Sequence, residues 1–183
     1  MTTLKQKSIF QKIDKFEYNI CVYFNNFSRK KPVKRFFSII SRLGDGGVWY
    51  TLMLGLFFLF GFEGFVVAMG MALMAIINVT IYKSLKSRLV RERPYISFRD
   101  LSCGTPPLDQ YSFPSGHTLH AVSFTVVCVY FFPLLAVLLI PISILIAVSR
   151  VVLGLHYPTD VAMGTLIGIA ISIPTIQVIA LFV

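Results

Sequence analysis

Two regimes of hydrophobic patterning divide the chain. In residues 1–46, Ile9, Phe10, Ile13, Phe16 and Ile20 recur at helical spacing, with Lys5, Lys7, Lys12 and Lys15 between them. This predicts a basic amphipathic helix lying in the headgroup plane of a membrane rather than crossing it. Arg29-Lys30-Lys31-Pro32 interrupts it, and Val33 to Leu43 predicts a second short amphipathic piece with Phe36, Phe37, Ile39 and Ile40. From residue 47 the pattern changes to long apolar runs, and Val48–Phe62, Phe65–Leu85, His117–Phe132, Leu134–Leu153 and Val161–Val183 are five candidate spans. About 20 apolar residues cross a bilayer and about 17 is a lower limit, so the first run reaches full length only if it starts near Leu43. Gly44-Asp45-Gly46-Gly47 and Glu63-Gly64 predict turns, and Pro141 and Pro174 predict kinks. Gly164 and Gly168 predict close helix contact inside the bundle, with a dimer face as the alternative. Asn78 and Thr80 are interior polar positions of the second span. The expected fold is all-α: a polytopic membrane helix bundle of about five transmembrane helices, preceded by amphipathic interfacial helices. Residues 1–46 form the interfacial segment and 47–183 the transmembrane core, with the loop 86–116 carrying the site.

Composition supports the membrane reading. Hydrophobic residues make up 56% of the 183 positions and charged residues 14%, against about 25% charged in a soluble domain, and the mean hydropathy is +0.76. The formal charge of +9 is unevenly spread, which suggests an anionic partner: lipid headgroups or a phosphorylated substrate. The apolar character argues against nucleic acid. Cys21, Cys103 and Cys128 are far apart and lack zinc-site spacing, so free thiols are expected. Residues 1–46 lack the apolar core and small-residue cleavage site of a signal peptide.

Counting spans places three charged stretches on one membrane face: residues 1–46, the loop 86–113 and the stretch 150–160. The opposite face receives the turns at Glu63 and Pro133 and the C-terminus.

Those stretches carry the candidate chemistry. Lys86 through Pro94 offers a point charge and planar guanidinium forks, suited either to phosphate oxygens or to anchoring at the membrane surface. Phe113-Pro114-Ser115-Gly116-His117 opens the third span. Ser115 is an expected helix N-cap, Gly116 admits a close ligand, and the helix N-terminus favours an anion. His117 is placed to transfer a proton near neutral pH, while His120 is expected to be a core or hydrogen-bonding histidine. Arg150 near the end of an apolar span is costly unless it meets an anion or partner. His156 and Asp160 lie four residues apart. In a helix or tight turn the carboxylate takes one imidazole N–H and leaves the other nitrogen nucleophilic; a structural His–Asp pair is the alternative.

Taken together, Lys86-x6-Arg93-Pro94, Pro114-Ser115-Gly116-His117 and Ser149-Arg150-x5-His156-x3-Asp160 resemble the three motifs of the type 2 phosphatidic acid phosphatase superfamily. These are membrane lipid phosphatases that share a core with vanadium haloperoxidases. The resemblance implies that His156 is the nucleophile of a phosphohistidine intermediate and that Asp160 orients it. It implies that His117 protonates the leaving oxygen and then activates water. Lys86, Arg93, Ser115, Gly116 and Arg150 would hold the phosphoryl oxygens. No metal or other cofactor is expected, since cations take its place. The implied substrate is a phosphorylated lipid: polyprenyl pyrophosphate, phosphatidylglycerol phosphate, phosphatidic acid or a lipid A phosphate.

A vanadate-dependent haloperoxidase is one alternative, disfavoured by the five spans. A non-enzymatic lipid-binding or transport protein is another, disfavoured by the intact His156, Asp160 and His117 set. A bacterial inner membrane is the expected location. The excess of cations on the site's face points to the cytoplasm, whereas the resemblance implies the outer face, where the basic 1–46 segment would bind anionic lipid.

Overall fold

The computed structural model describes residues 2–183, with side chains from Phe10 onward except Gln11. The positions expected for Lys5, Lys7 and Ile9 on the first helix lie outside the described side chains. Among the described residues, all regular structure is helical: α1 (Thr2–Phe27), α2 (Lys31–Leu43), α3 (Gly47–Arg88), α4 (Pro94–Ser97), α5 (Gly116–Phe131), α6 (Ala136–Val152) and α7 (Pro158–Ile179). A 3-10 turn at Pro133–Leu135 joins α5 to α6.

By length and composition, three of the helical stretches can cross a membrane: Gly47–Arg88, Pro133–Val152 and Pro158–Ile179. Gly116–Phe131 is a shorter apolar helix. At 1.5 Å per residue, the 42 residues of α3 would reach about 63 Å, twice the roughly 30 Å hydrocarbon core. The chain resolves this by folding back at Gly61, whose φ of 60° and ψ of −131° break the helix. Glycine adopts that conformation without a Cβ penalty. The two limbs run antiparallel beside α5. Trp49 and Phe60 on the first limb meet Phe124 and Phe132, with ring centroids 5.2 and 4.0 Å apart. On the second limb, Met71 lies 3.4 Å from Cys128 and Tyr82 meets His120. The protein is thus an all-α membrane bundle in which α3 supplies two apolar limbs. The expected turn at Glu63-Gly64 falls instead at Gly61, because backbone freedom rather than polarity sets the fold-back.

Helix α5 sits at the centre, touching α3, α6 and α7. Its contact with α7 is close: a Cβ at Gly164 would lie 2.7 Å from the Ser115 carbonyl oxygen, and one at Gly168 would lie 2.8 Å from that of Leu119. The glycine pair therefore packs inside the bundle. Polar side chains add ties across it, with Asn78 Nδ2 donating to Ser123 Oγ at 2.8 Å and Ser143 Oγ donating to the Ala121 carbonyl at 3.0 Å. Such bonds contribute about 0.6–2 kcal/mol each in a membrane. Thr80, expected to be interior, is exposed and bonds its own helix at the Ile76 carbonyl. Helices α6 and α7 continue through Pro141 and Pro174. All three cysteines are free thiols.

Helix α1 turns its polar side inward. Asp14, Glu17, Cys21, Asn25 and Ser28, three or four residues apart, are buried, whereas Phe16, Ile20, Tyr23 and Phe27 are exposed. The inward face meets polar loop and helix ends: Asn25 Nδ2 donates to the carbonyls of Ser102 and Val152, both at 3.0 Å. The outward stripe is apolar and suits the acyl boundary of a bilayer.

Candidate active site

Five chain segments end at one side of the bundle and aim side chains at a common point. Lys86 lies in the last turn of α3, and Arg93 immediately precedes α4. His117 is on the first turn of α5, and Arg150 is on the last turn of α6. Gly154 then takes φ +71°, the left-handed ending common after a helix C-terminus. This reverses the chain so that the N–H groups of Leu155 and His156 both donate to the Arg150 carbonyl, at 3.0 and 3.1 Å. Pro158 starts α7, and Asp160 sits in its first turn, where a carboxylate suits the helix dipole.

Lys86, Arg93, Gly116, His117, Arg150 and His156 line one cavity of about 490 Å3. Its other wall is apolar and comes from the spans: Trp49, Met53, Ala75, Val79 and Phe124. His156 is 1% exposed. Its Nε2 lies 3.3 Å from Arg93 Nη1. Arginine can only donate, so Nε2 carries the lone pair and Nδ1 the proton. Nδ1 points to Asp160 Oδ2 at 3.5 Å, longer than a formed hydrogen bond. Burial, then the charges of Arg93, Arg150 and Lys86, hold the imidazole pKa well below its usual 6.5. It is therefore neutral and unprotonated at Nε2 near pH 7.

Lys86 and Arg93 are already paired with a carboxylate. Lys86 Nζ donates to both oxygens of Asp109 at 2.6 and 2.7 Å, and Arg93 Nη2 donates to Oδ1 at 2.7 Å. Burial alone would raise the Asp109 pKa, but Lys86 and Arg93 hold it below the usual carboxylate range. His117 Nε2 meets Asp45 Oδ1 at 2.6 Å, and that hydrogen bond lowers the Asp45 pKa against the opposing effect of burial. Arg150 Nη1 donates to Ser41 Oγ, while its buried Nε has no hydrogen-bond partner among the described residues.

Two of the residues singled out from sequence stand outside the cavity lining. Asp160 is fully buried behind His156. Ser115 occupies the N-cap position of α5, but its hydroxyl makes no capping bond and pairs with Thr118 Oγ1 at 3.0 Å. Its N–H donates to the Asp160 carbonyl at 3.1 Å, so the residue is tied into the α5–α7 contact. His120 bonds the Gly116 carbonyl through Nδ1 at 2.9 Å, as expected of a hydrogen-bonding histidine, and also lines the cavity. Asp45 and Asp109 were not singled out from sequence as site residues. Each is an isolated acid in a turn or loop, and its only signal is an acidic charge on an otherwise basic face.

A 68-residue segment is 40% identical to phosphatidylglycerophosphatase B of Haemophilus influenzae, covering 32% of this chain and 28% of that protein. A 69-residue segment is 38% identical to lipid A 1-phosphatase of Rhizobium johnstonii, covering 38% of this chain and 28% of that one. The matched segments span less than a third of those relatives' own length. Among solved structures, Aquifex aeolicus LpxE aligns with a TM-score of 0.73 at 27% identity, over 87% of this chain and 93% of that one. A transmembrane PAP2 type phosphatidylglycerolphosphate phosphatase from Bacillus subtilis shares the fold, with a TM-score of 0.67 at 24% identity over 90% and 83% of the two chains. The profile of the PAP2 superfamily matches residues 64–182, well over half of the chain and all three motifs. With the cavity at the membrane face built from those same motifs, the chain belongs to the PAP2 superfamily.

Proposed function

We propose that the protein is a lipid phosphatase of a bacterial inner membrane, cleaving a phosphate mono- or diphosphate ester through a phosphohistidine intermediate. One observation carries this reading. A single cavity joins Lys86, Arg93 and Arg150, gathered around an unprotonated histidine, to an apolar wall made by membrane spans. That combination suits a molecule with a phosphate at one end and hydrocarbon at the other.

In this mechanism His156 Nε2 attacks phosphorus and the bond from phosphorus to the lipid oxygen breaks. Asp160 accepts a hydrogen bond from Nδ1–H and stabilises the positive charge that forms on the ring. His117 gives the leaving oxygen a proton, then takes one from the water that attacks phosphorus, so that the phosphorus–nitrogen bond breaks and phosphate leaves. Lys86, Arg93, Arg150 and the Gly116 N–H stabilise the equatorial oxygens. The test is phosphate release in detergent micelles across polyprenyl diphosphate, phosphatidylglycerol phosphate, phosphatidic acid and lipid A phosphates. Release from at least one, unchanged by a chelator, is expected. No release from any of them would overturn the proposal.

Two further outcomes follow from the charges. Asp109 competes with an incoming phosphate for Lys86 and Arg93, so Asp109→Asn tightens competitive inhibition by inorganic phosphate by about tenfold at low ionic strength. Protonation of His156 removes the nucleophile, and its pKa is depressed. Activity is therefore lost only as pH falls through that lower value, and the acid limb of kcat/KM lies below pH 6.5. Lys86→Met removes one of the charges that depress it, so the limb moves up. The pH profile of kcat/KM reads both.

A further inference from the structure

Asp160 uses its two oxygens for different partners. Oδ2 accepts the Tyr157 N–H at 2.9 Å and faces His156 Nδ1. Oδ1 accepts Arg91 Nη1 at 2.5 Å. Arg91 lies outside the matched motif positions, yet it is 1% exposed and its donors are in use. Nε and Nη2 donate to Asp14 Oδ1 at 2.9 and 2.7 Å, Nη2 also donates to Glu17 Oε2 at 2.7 Å, and Nη1 donates to Thr159 Oγ1 at 2.8 Å. The guanidinium lies over the Tyr157 ring, 3.9 Å from its centroid. Glu17 continues the network to the start of α7: its Oε1 accepts the Thr159 N–H and its Oε2 accepts the Thr159 hydroxyl, both at 2.7 Å. Asp14, Glu17 and Arg91 are all outside the cavity lining.

We propose that Arg91, anchored by Asp14 and Glu17 of α1, is a positioning residue for the His156–Asp160 pair, which makes α1 part of the catalytic apparatus as well as a membrane-surface helix. This rests on the phosphatase reading above. A carboxylate held at Oδ1 by a guanidinium and at Oδ2 by a backbone N–H cannot rotate, so Oδ2 stays aimed at Nδ1. That aim fixes the tautomer that leaves Nε2 free to attack. Arg91 also offsets the burial of three carboxylates in one place: Asp14, Glu17 and Asp160 are 8%, 3% and 0% exposed. A buried acid left without its partner costs several kcal/mol or takes up a proton. Lysine supplies the charge but not the planar fork that reaches Asp160, Thr159, Asp14 and Glu17 together.

The test is a double-mutant cycle in detergent-solubilised full-length protein, with melting temperature followed in parallel. Arg91→Lys is expected to lower kcat by about 10- to 100-fold, the range typical of residues that orient a reacting group. KM and inhibition by inorganic phosphate stay within about twofold, because the anion seat is untouched. In an Asp160→Asn background the Arg91→Lys loss disappears, since the residue acts through Asp160. Glu17→Gln, which touches neither Asp160 nor the cavity, runs the same cycle if Arg91→Lys does not fold. A loss shared between kcat and KM, or one that persists undiminished beside Asp160→Asn, overturns the proposal. Nitrogen-15 NMR of labelled histidine gives a readout independent of turnover: His156 is a single Nδ1–H tautomer in the wild type and a mixture in Arg91→Lys. A wild type with that single tautomer but no lipid phosphatase activity would overturn the function and leave the positioning role standing. An unchanged tautomer in the variants would overturn the positioning role alone.

Discussion

Replacing His156 by alanine abolishes phosphate release, with a loss on the order of 10⁴-fold or more, as expected for removal of a nucleophile. His156 lies at the meeting point of the cations, with Nε2 facing Arg93 at 3.3 Å, a donor that requires a lone pair on that nitrogen. The cations gathered around it, Lys86, Arg93 and Arg150, only donate and cannot replace it. The substitution leaves these cations in place, so a lipid phosphate still binds and competitive inhibition by inorganic phosphate persists. Rapid quenching of wild-type protein with radiolabelled substrate traps an acid-labile, alkali-stable phosphoenzyme, and the His156→Ala protein traps none. Full activity in the variant, or a phosphoenzyme on it, would sink the mechanism.

His117→Ala separates the two chemical steps. General acid–base groups contribute about 10²- to 10⁴-fold, and a loss of about 10³-fold is expected with a lipid phosphate, whose alkoxide leaves poorly without a proton. With 4-nitrophenyl phosphate the leaving group needs no proton, so the first step stays fast. Hydrolysis of the phosphohistidine still needs a base for water. The variant therefore shows a stoichiometric burst of nitrophenolate followed by slow turnover. An equal loss on both substrates without a burst would show that His117 acts only through packing against the turn that carries Asp45, its 2.6 Å partner.

The spans were legible in sequence because they depend on local quantities. An apolar run has a length, a bilayer has a thickness, and alternating crossings put the ends of α3 and α6 and the starts of α5 and α7 on one side. Their bounds shifted by a few residues for equally local reasons: the fold-back sits at Gly61 because of its positive φ, and α7 begins at Pro158 rather than Val161. The cavity-lining cations were also legible, because charges at the ends of apolar helices are few and span counting places them on one face.

Partnerships between distant charges were not legible. Asp109 lies 23 residues from Lys86, and Asp14 lies 77 from Arg91. Nothing in their local sequence marks them apart from other surface acids. The direction of α1 was hidden for a different reason. Periodicity shows that a helix has two faces, but beside a membrane either face can be the buried one. Here the apolar face turns outward and the polar face meets Arg91, Ser102 and the end of α6.

Sequence alone determined that this chain is a helical membrane protein, that three charged motifs share one face, and that His156 and Asp160 are spaced to meet. Hydrophobic length and residue identity suffice for that, since both act over a few residues. Tertiary structure decided the rest: which nitrogen of His156 is bare, which carboxylates occupy the cations, and that a guanidinium from the 86–94 stretch links Asp160 to α1. Those outcomes depend on interactions that fall off within a few ångströms, between groups that only the packed bundle brings that close.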